Sequence, residues 1–551
     1  MIKKPWLSHY DSGVPEHISY PSIPIQTLFL DAVEKYPTHA CLRYGNAQYS
    51  YSEVWDYSVK IAKSLISLGI HPGERIGLIL PNIPEFVITY YAILEAGTVA
   101  VPLNPAYTLA ELKEQINQTQ IRLIIGWDQR LEILRQLRET CDISHLIICA
   151  GNECKLHFAI EGNGKPARNG KIKKEIEFEQ LLYLSTAGVD LPNVNKDTPA
   201  LFQFSGGTTG TPKAAIALHR NIVANVLQFR NWLTSLKDGQ EEFLTVIPLS
   251  HVYGMVIGLN VGIAMGATIN LIADPRDTIN ILETIQRVGI SFYPGVPSMY
   301  HAINQNEDVK GGKYDLRSIK ACISGSAPLF PEIRRQFEKL TGGKLVEGYG
   351  LSEAPTATHC NPIKGENRDG SIGLPLPDVD CNLILSDEYG PNCGELCIKS
   401  PQIMSGYHAD IDETNLVLND GWLRTGDIAR MDEDGYFYLV GRKKDLIKVG
   451  GLQVWPQEVE KAICRDTRVK EAVVAGIPDI ARGEKLKAWV VLNRSAKISE
   501  EQIIENCLKE IAYFKVPKEI EFIPAIPRTP VGKVLRRELI RRELEKNLGS
   551  D

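Results

Sequence analysis

Apolar residues recur at helical spacing over residues 28–35 and 51–68, which predicts two amphipathic helices. Residues 75–80, RIGLIL, form instead a compact apolar run that predicts a buried strand. A helical pattern comes next over 84–96 and a strand over 99–103. The unit then repeats, with a strand at 122–126, a helix at 131–138 and a strand at 144–150. Alternation of this kind predicts an α/β fold with parallel-rich sheets and helices on their faces. No short-period internal repeat is present. Residues 151–172, GNECKLHFAIEGNGKPARNGKI, are rich in Gly, Asn and Lys and are expected to form an exposed loop or insertion.

Near residue 360 the pattern changes. VDCNLILSD, GELCIKS and GYFYLV read as short strands separated by Gly, Pro and Asp turns, a small β-rich subdomain. After GRKKD the mixed pattern returns: a helix over 456–463, strands over 471–477 and 488–492, and a helix over 500–512. LRRELIRRELEK then predicts a basic helix with a solvated face, on which Glu538 and Glu543 lie near arginines.

The run 244–273 contains no Asp, Glu, Lys or Arg. A membrane-spanning helix needs about 20 predominantly apolar residues, but this run holds Pro248, His251, Asn260, Asn270 and four glycines, Gly254, Gly258, Gly262 and Gly266. It reads as a loop (IPLSHVYGM), a buried glycine-rich helix and a strand (ATINLIA), with a transmembrane span as the lesser alternative.

Length changes the picture by requiring several compact units, since 551 residues exceed one ordinary core. With 61 Lys and Arg against 67 Asp and Glu, the net charge of −6 gives no support to a nucleic-acid partner or a polybasic membrane anchor. The 11 cysteines are scattered, and only Cys393 and Cys397 lie close together, without a second pair at zinc spacing. Reduced thiols in a cytoplasmic protein are expected. The opening MIKKPWLSHYDSG has no apolar core of a secretory signal.

Candidate chemistry is concentrated in FQFSGGTTGTPK. A strand enters a loop of Ser205, Gly206, Gly207, Thr208, Thr209, Gly210, Thr211 and Lys213. Glycines allow backbone N–H groups to converge on an anion, the hydroxyls add donors and the lysine adds charge. This equipment suits a polyphosphate. It is not the G-x-x-x-x-G-K-[ST] loop, because Pro212 precedes the lysine and no Ser or Thr follows it.

SGGTTGTPK resembles the signature loop of the adenylate-forming superfamily: acyl-CoA synthetases, aryl-CoA ligases, luciferases and adenylation domains. Ala214 stands where that family usually has glycine, adding a methyl beside the loop. EGYGLSE is similar to the segment that lies against the nucleotide, which implies nucleotide contacts from Glu347, Gly348, Tyr349, Gly350, Leu351 and Ser352. Tyr349 would stack on adenine, and Glu353 would be the Mg²⁺ ligand, as a hard carboxylate suits. The SGSAP segment implies further contacts from Gly325, Ser326 and Ala327. In WLRTGD and GRKKD, the resemblance makes Asp427 and Arg442 the ribose contacts.

His251, in PLSHVYGM, resembles a residue at the acyl-adenylate site. The acyl pocket would be walled by residues 251–258 and 324–328, with Tyr253, Met255 and Met299 either lining and gating it or packing in the core. KVGGLQVWP places Lys448, Gly450, Gly451 and Gln453 in a spacing similar to 4-coumarate–CoA ligases and luciferases, where lysine and glutamine approach the adenylate. Many bacterial fatty-acid ligases have Asn-Val-Tyr-Pro where this chain has Gln453-Val-Trp-Pro. PRTPVGKVLRREL resembles the segment of the catalytic lysine, here Lys533, which would neutralise charge on the attacked phosphate; it is also similar to sites of lysine acetylation.

The resemblance, from about residue 28 to 539, implies a large N-terminal domain (1–441) and a mobile C-terminal domain (442–551) pivoting at Lys444. It implies an AMP-forming acyl-CoA synthetase using ATP, Mg²⁺ and CoA. The opening PWLSHYDSGVP favours a medium- or long-chain fatty acid. An aryl acid, or a carrier-protein thiol as acceptor, are the alternatives. A homodimer and a peripheral membrane contact are both compatible with the family.

Overall fold

A computed structural model describes residues 4–150, 175–205, 212–449, 452–479, 483–529 and 532–548. The expected insertion at 151–172, the loop residues Gly206, Gly207, Thr208, Thr209, Gly210 and Thr211, and the pair Gly450 and Gly451 lie outside the described residues. The described chain divides into two compact units. The first comprises the residues up to Ser205, 212–379 and 399–421; the second comprises 380–398 and those from 422 onward.

Two sheets build the first unit. In one, the strands Val99–Pro102, Arg75–Ile79, Leu123–Trp127 and His145–Cys149 pair in parallel, as the alternating pattern requires. Pro199–Phe204 joins in parallel beside Val99–Pro102, and Ala214–Leu218 returns antiparallel. The other sheet carries Glu242–Thr245, Phe292–Gly295, Ala321–Ser324 and Lys344–Leu351 in parallel, extended by the antiparallel strand Ala354–Cys360. The helix expected at 51–68 is Tyr51–Ser67. Its Ser50 cap accepts the Glu53 N–H while the Glu53 side chain returns to the Ser50 backbone, which defines where it starts.

The uncharged run folds inside this unit. Tyr253, preceding it, enters a π-helical stretch, Gly254–Asn260, every residue of which is buried. The widened turn is held by Asn260, whose amide donates to the Met255 carbonyl at 2.9 Å and whose oxygen accepts the Tyr91 hydroxyl at 2.9 Å. The glycines permit close packing on the sheet. A β-carbon on Gly254 would stand 2.5 Å from the Pro248 oxygen, and one on Gly262 2.5 Å from Ile269. Among the described residues no helix is long and apolar enough to cross a membrane.

The second unit holds the small β region and the α/β segment C-terminal to it. Cys393–Lys399, Trp422–Met431 and Phe437–Arg442 are antiparallel neighbours. Gly483–Leu492 pairs antiparallel with Val469–Asp479 and parallel with Glu519–Phe522, covered by the helices Pro456–Ile463 and Glu500–Glu510. The basic helix is Arg536–Leu548, and here the sequence expectation needs correction. Glu538 pairs with Arg541 and Arg542 in solvent. Glu543 is buried instead, with its carboxylate 2.6 Å from Lys487 of the sheet. The reason is the apolar face around Leu539, which docks on Trp489 and Val473 and draws the next turn inward. The ten described cysteines are all thiols.

Candidate active site

The phosphate-loop segment is anchored as a hairpin. The Ser205 N–H donates to the Lys213 carbonyl at 2.9 Å, and Phe204 faces Ala214 in register. The two flanks of the loop therefore belong to one ladder. Ala214 is buried in the strand after the loop, in the core with Ile79, Val99 and Phe202. Its extra methyl is absorbed there.

Lys213 points into an acidic corner that the sequence does not reveal. Its Nζ lies 2.9 Å from Glu413 and 3.7 Å from Asp410, and 5.6 Å from the centre of the Tyr407 ring. The Tyr407 hydroxyl donates to Glu353 Oε1 at 2.8 Å. Burial first, and then the Glu353 charge, hold this phenol above its ordinary pKa, so it stays a donor. The available signal is GYHADIDET. Asp410 caps the helix Ile411–Val417 by accepting the Glu413 N–H at 3.0 Å, which fixes both acids at its start. What brings the corner to Lys213 is the pairing of Gly406–Tyr407 with Ala215 and Ile216, and sequence spacing gives no sign of it.

EGYGLSE is one arm and the tip of a hairpin. Lys344–Leu351 pairs antiparallel with Ala354–Cys360, leaving Ser352 and Glu353 as the turn. Tyr349 is half-buried and meets the His359 ring edge-on, 5.8 Å between centroids. Gly348, Gly350 and Leu351 lie on the same arm. Glu347 turns inward, and its carboxylate accepts the Leu329 N–H at 3.1 Å. It thereby holds the segment of Gly325, Ser326 and Ala327, in which Ser326 has a left-handed φ of 67°.

Burial raises the Glu347 carboxyl from 4.5 to about 8. The folded chain thus keeps a proton there that the unfolded chain releases near 4.5. This contribution to stability is complete below that value and is lost as pH rises toward about 8. The substitution Glu347→Gln is expected to flatten this decline. Urea unfolding across the window checks it, and a variant that follows the wild-type pH slope would refute it.

His251 is half-buried, and its Nδ1 accepts the Tyr253 N–H at 3.1 Å. Its neutral ring therefore carries the proton on Nε2. Tyr253 packs as a strut: its hydroxyl donates to the Ile323 carbonyl at 2.7 Å and the Gly295 carbonyl at 3.2 Å. Met255 is buried in the π-helical turn, and Met299 packs against the neighbouring core.

In the second unit Asp427 and Arg442 face each other in register, with Arg442 Nε 2.9 Å from the buried Asp427 carboxylate. The two ribose candidates come together. Lys444 stands on the exposed surface of this segment, and partial desolvation followed by the Arg442 charge lowers its pKa. Lys448 and Gln453 are opposed in a short hairpin, and Lys448 Nζ is 2.9 Å from Glu388. Trp455 seats its ring on Gly441, where a β-carbon would lie 2.5 Å away. Lys533 sits in a closed loop: its N–H donates to Thr529 Oγ1 at 3.1 Å, and its carbonyl accepts the Thr529 N–H at 2.8 Å.

Among the described residues no group of three or more His, Cys, Asp or Glu could hold a metal ion. Glu353, a single hairpin-tip carboxylate, fits Mg²⁺ in another way. That ion keeps its waters and is bound by one or two carboxylates plus substrate phosphates.

The family model described as AMP-binding enzyme matches residues 29–408, and that of the AMP-binding enzyme C-terminal domain matches 458–533. A long-chain-fatty-acid–CoA ligase of Bacillus subtilis is 37% identical, over 99% of both chains. One from Salmonella typhimurium is 32% identical over 98% of both. A probable 4-coumarate–CoA ligase of Dictyostelium discoideum is also 32% identical over 98% of both. Among solved structures, ATP-bound MatB from Rhodopseudomonas palustris superposes with a TM-score of 0.81 at 25% identity, covering 94% of this chain and 99% of its own. The anthranilate CoA ligase AuaEII with anthranoyl-AMP gives 0.81 at 23%, covering 95% and 97%, which shows the shared fold.

Proposed function

The chain belongs to the AMP-binding enzyme family, and from that premise we propose that it is a long-chain-fatty-acid–CoA ligase of the AMP-forming type. The observation that carries this reading is the 37% identity over 99% of both chains with a ligase of that name. In the first step the fatty-acid carboxylate attacks the α-phosphate of ATP, forming acyl-adenylate and releasing pyrophosphate. In the second the CoA thiol attacks the acyl carbonyl. AMP leaves, the thiol proton passes to solvent, and acyl-CoA forms. Activation replaces a poor leaving group by AMP.

The residues divide this work. The loop from Ser205 to Lys213 binds the phosphates. Tyr349 stacks on adenine, while Asp427 and Arg442 accept and donate hydrogen bonds to the ribose hydroxyls. Bound Mg²⁺ would neutralise phosphate charge, held on the protein side by Glu353. Lys533 supplies positive charge where the carboxylate meets the phosphate. His251 walls the acyl-adenylate site. The proposed domains, 1–441 and 442–551, alternate about Lys444, so that Lys533 serves the first step and Lys448, Gly450, Gly451 and Gln453 the second. A cytoplasmic location suits the supply of ATP and CoA.

The test is AMP formation and thioester yield over carboxylates from acetate to stearate, with benzoate and cinnamates, each with and without CoA. Turnover that peaks with long-chain acids and requires CoA is expected. An aryl optimum would favour the Lys448–Gln453 spacing and the Dictyostelium relative as guides. Pyrophosphate release without thioester would point to a carrier-protein thiol.

A further inference from the structure

Glu353 sits on a two-residue turn, and its carboxylate ends a side chain with three rotatable bonds, so its direction has to be set by a partner. One short segment supplies that control. The Met404 N–H donates to the Glu353 carbonyl at 2.8 Å, and three residues later the Tyr407 hydroxyl donates to Glu353 Oε1 at 2.8 Å. Backbone and side chain of Glu353 are thus held from one short segment, 404–407, which ends in the strand Gly406–Tyr407.

That strand is itself immobilised on both sides. Tyr407 faces Ala215 in register, the Ser405 N–H donates to the Ile216 carbonyl at 2.9 Å, and the His408 N–H to the Ala214 carbonyl at 2.8 Å. The Tyr407 N–H donates to Thr414 Oγ1 at 2.9 Å. These partners lie on the strand that leaves the glycine-rich loop and on the helix of the acidic corner. The ring also lies under the Lys213 ammonium, whose ion pairs are with Glu413 and Asp410. Lys213 is therefore engaged by its own acids, apart from the carboxylate that Tyr407 orients.

We propose that Tyr407 is a positioning residue for Glu353, fixing its carboxylate for a divalent cation carried on the nucleotide phosphates and coupling that orientation to the strand that closes the phosphate loop. This rests on the reading of Glu353 as the Mg²⁺ ligand. Partners that orient a metal-binding carboxylate typically cost 10- to 100-fold in metal affinity when removed.

The test is calorimetric binding of ATP to Tyr407→Phe, to Glu353→Gln and to the double variant, with Mg²⁺ titrated and again in EDTA. Phenylalanine keeps the ring under Lys213 and removes only the donor. For Y407F the Mg²⁺ concentration at half-saturation is expected to rise about tenfold, while ATP binding in EDTA stays within about twofold of wild type. Adding Y407F to E353Q should change nothing further. An equal loss in Mg²⁺ and EDTA would show a merely structural tyrosine and overturn the proposal. If E353Q shifts the Mg²⁺ requirement and Y407F does not, the proposal alone falls. If neither shifts it, the reading of Glu353 falls and takes the proposal with it.

Discussion

Replacing Lys533 by alanine is expected to slow acyl-adenylate formation by about 10²- to 10³-fold, the usual loss when one group aimed at developing charge is removed. Thioester formation from supplied acyl-adenylate should stay within a few-fold of wild type. The separation has a chemical origin: only the first step brings a carboxylate anion onto a phosphate that is itself anionic. The loop should survive the change. Gly532 donates to the Thr529 carbonyl at 2.8 Å, Leu535 to the Pro527 carbonyl at 2.9 Å, and a terminal guanidinium nitrogen of Arg528 to the Gly532 carbonyl at 2.7 Å. Arg528 is in turn paired with Glu471. The two bonds that tie Lys533 to Thr529 use its main chain, so alanine retains them. Pyrophosphate release and thioester yield from synthetic adenylate, measured separately, check the result. An equal loss in both steps would show that the lysine acts otherwise.

The second large effect is expected at Gly350. A β-carbon there would overlap the Thr356 oxygen and stand 2.6 Å from the Ala357 α-carbon. Both obstacles are backbone, so no rotamer change relieves the overlap. They are also fixed from behind, because Asn225 Oδ1 accepts the Thr356 N–H at 2.6 Å and its amide donates to the Ala357 carbonyl at 2.8 Å. Gly350→Ala should cost about 3 kcal/mol or more of stability, at or beyond the upper range for overpacking. It should also abolish ATP binding, since the hairpin must part between Tyr349 and Glu353. Urea unfolding and calorimetry are the measurements. A variant of wild-type stability that still binds ATP would mean that the hairpin is far more plastic than its packing indicates.

Much of the fold is legible in the chain, for reasons that differ between elements. Pro456–Ile463 can be read to the residue because proline opens it and the apolar positions keep one face. The parallel strands of the first sheet stand out as short apolar runs buried on both faces. Ala214–Leu218 does not. AAIAL has no alternation, and what makes it a strand is the hairpin closed by Ser205 and Lys213. The burial of Glu543 is hidden because charge patterning shows which groups lie along a helix and not which turn docks.

The site divides in the same way. Residues within a contiguous motif, such as Tyr349 and Glu353, are visible as a group. Tyr407, Glu413 and Asp410 are not, because they approach Lys213 from far along the chain through a two-residue strand. Asn225, which braces the Glu353 hairpin from the helix His219–Trp232, reads in sequence as one more polar residue on a helix.

The ladder that closes the phosphate loop also limits how the protein can change over generations. Phe204 and Ala214 are paired, at the end of a register that runs to Leu201 and Ala217 before shifting at Pro199. A one-residue slip of that register would send every side chain of the return strand to the opposite face. The pairing of Ala215 and Ile216 with Gly406 and Tyr407, which brings Tyr407 in, would be displaced with it. Whatever changes the loop accumulates must therefore leave the return strand in this register, as the change to alanine at position 214 does.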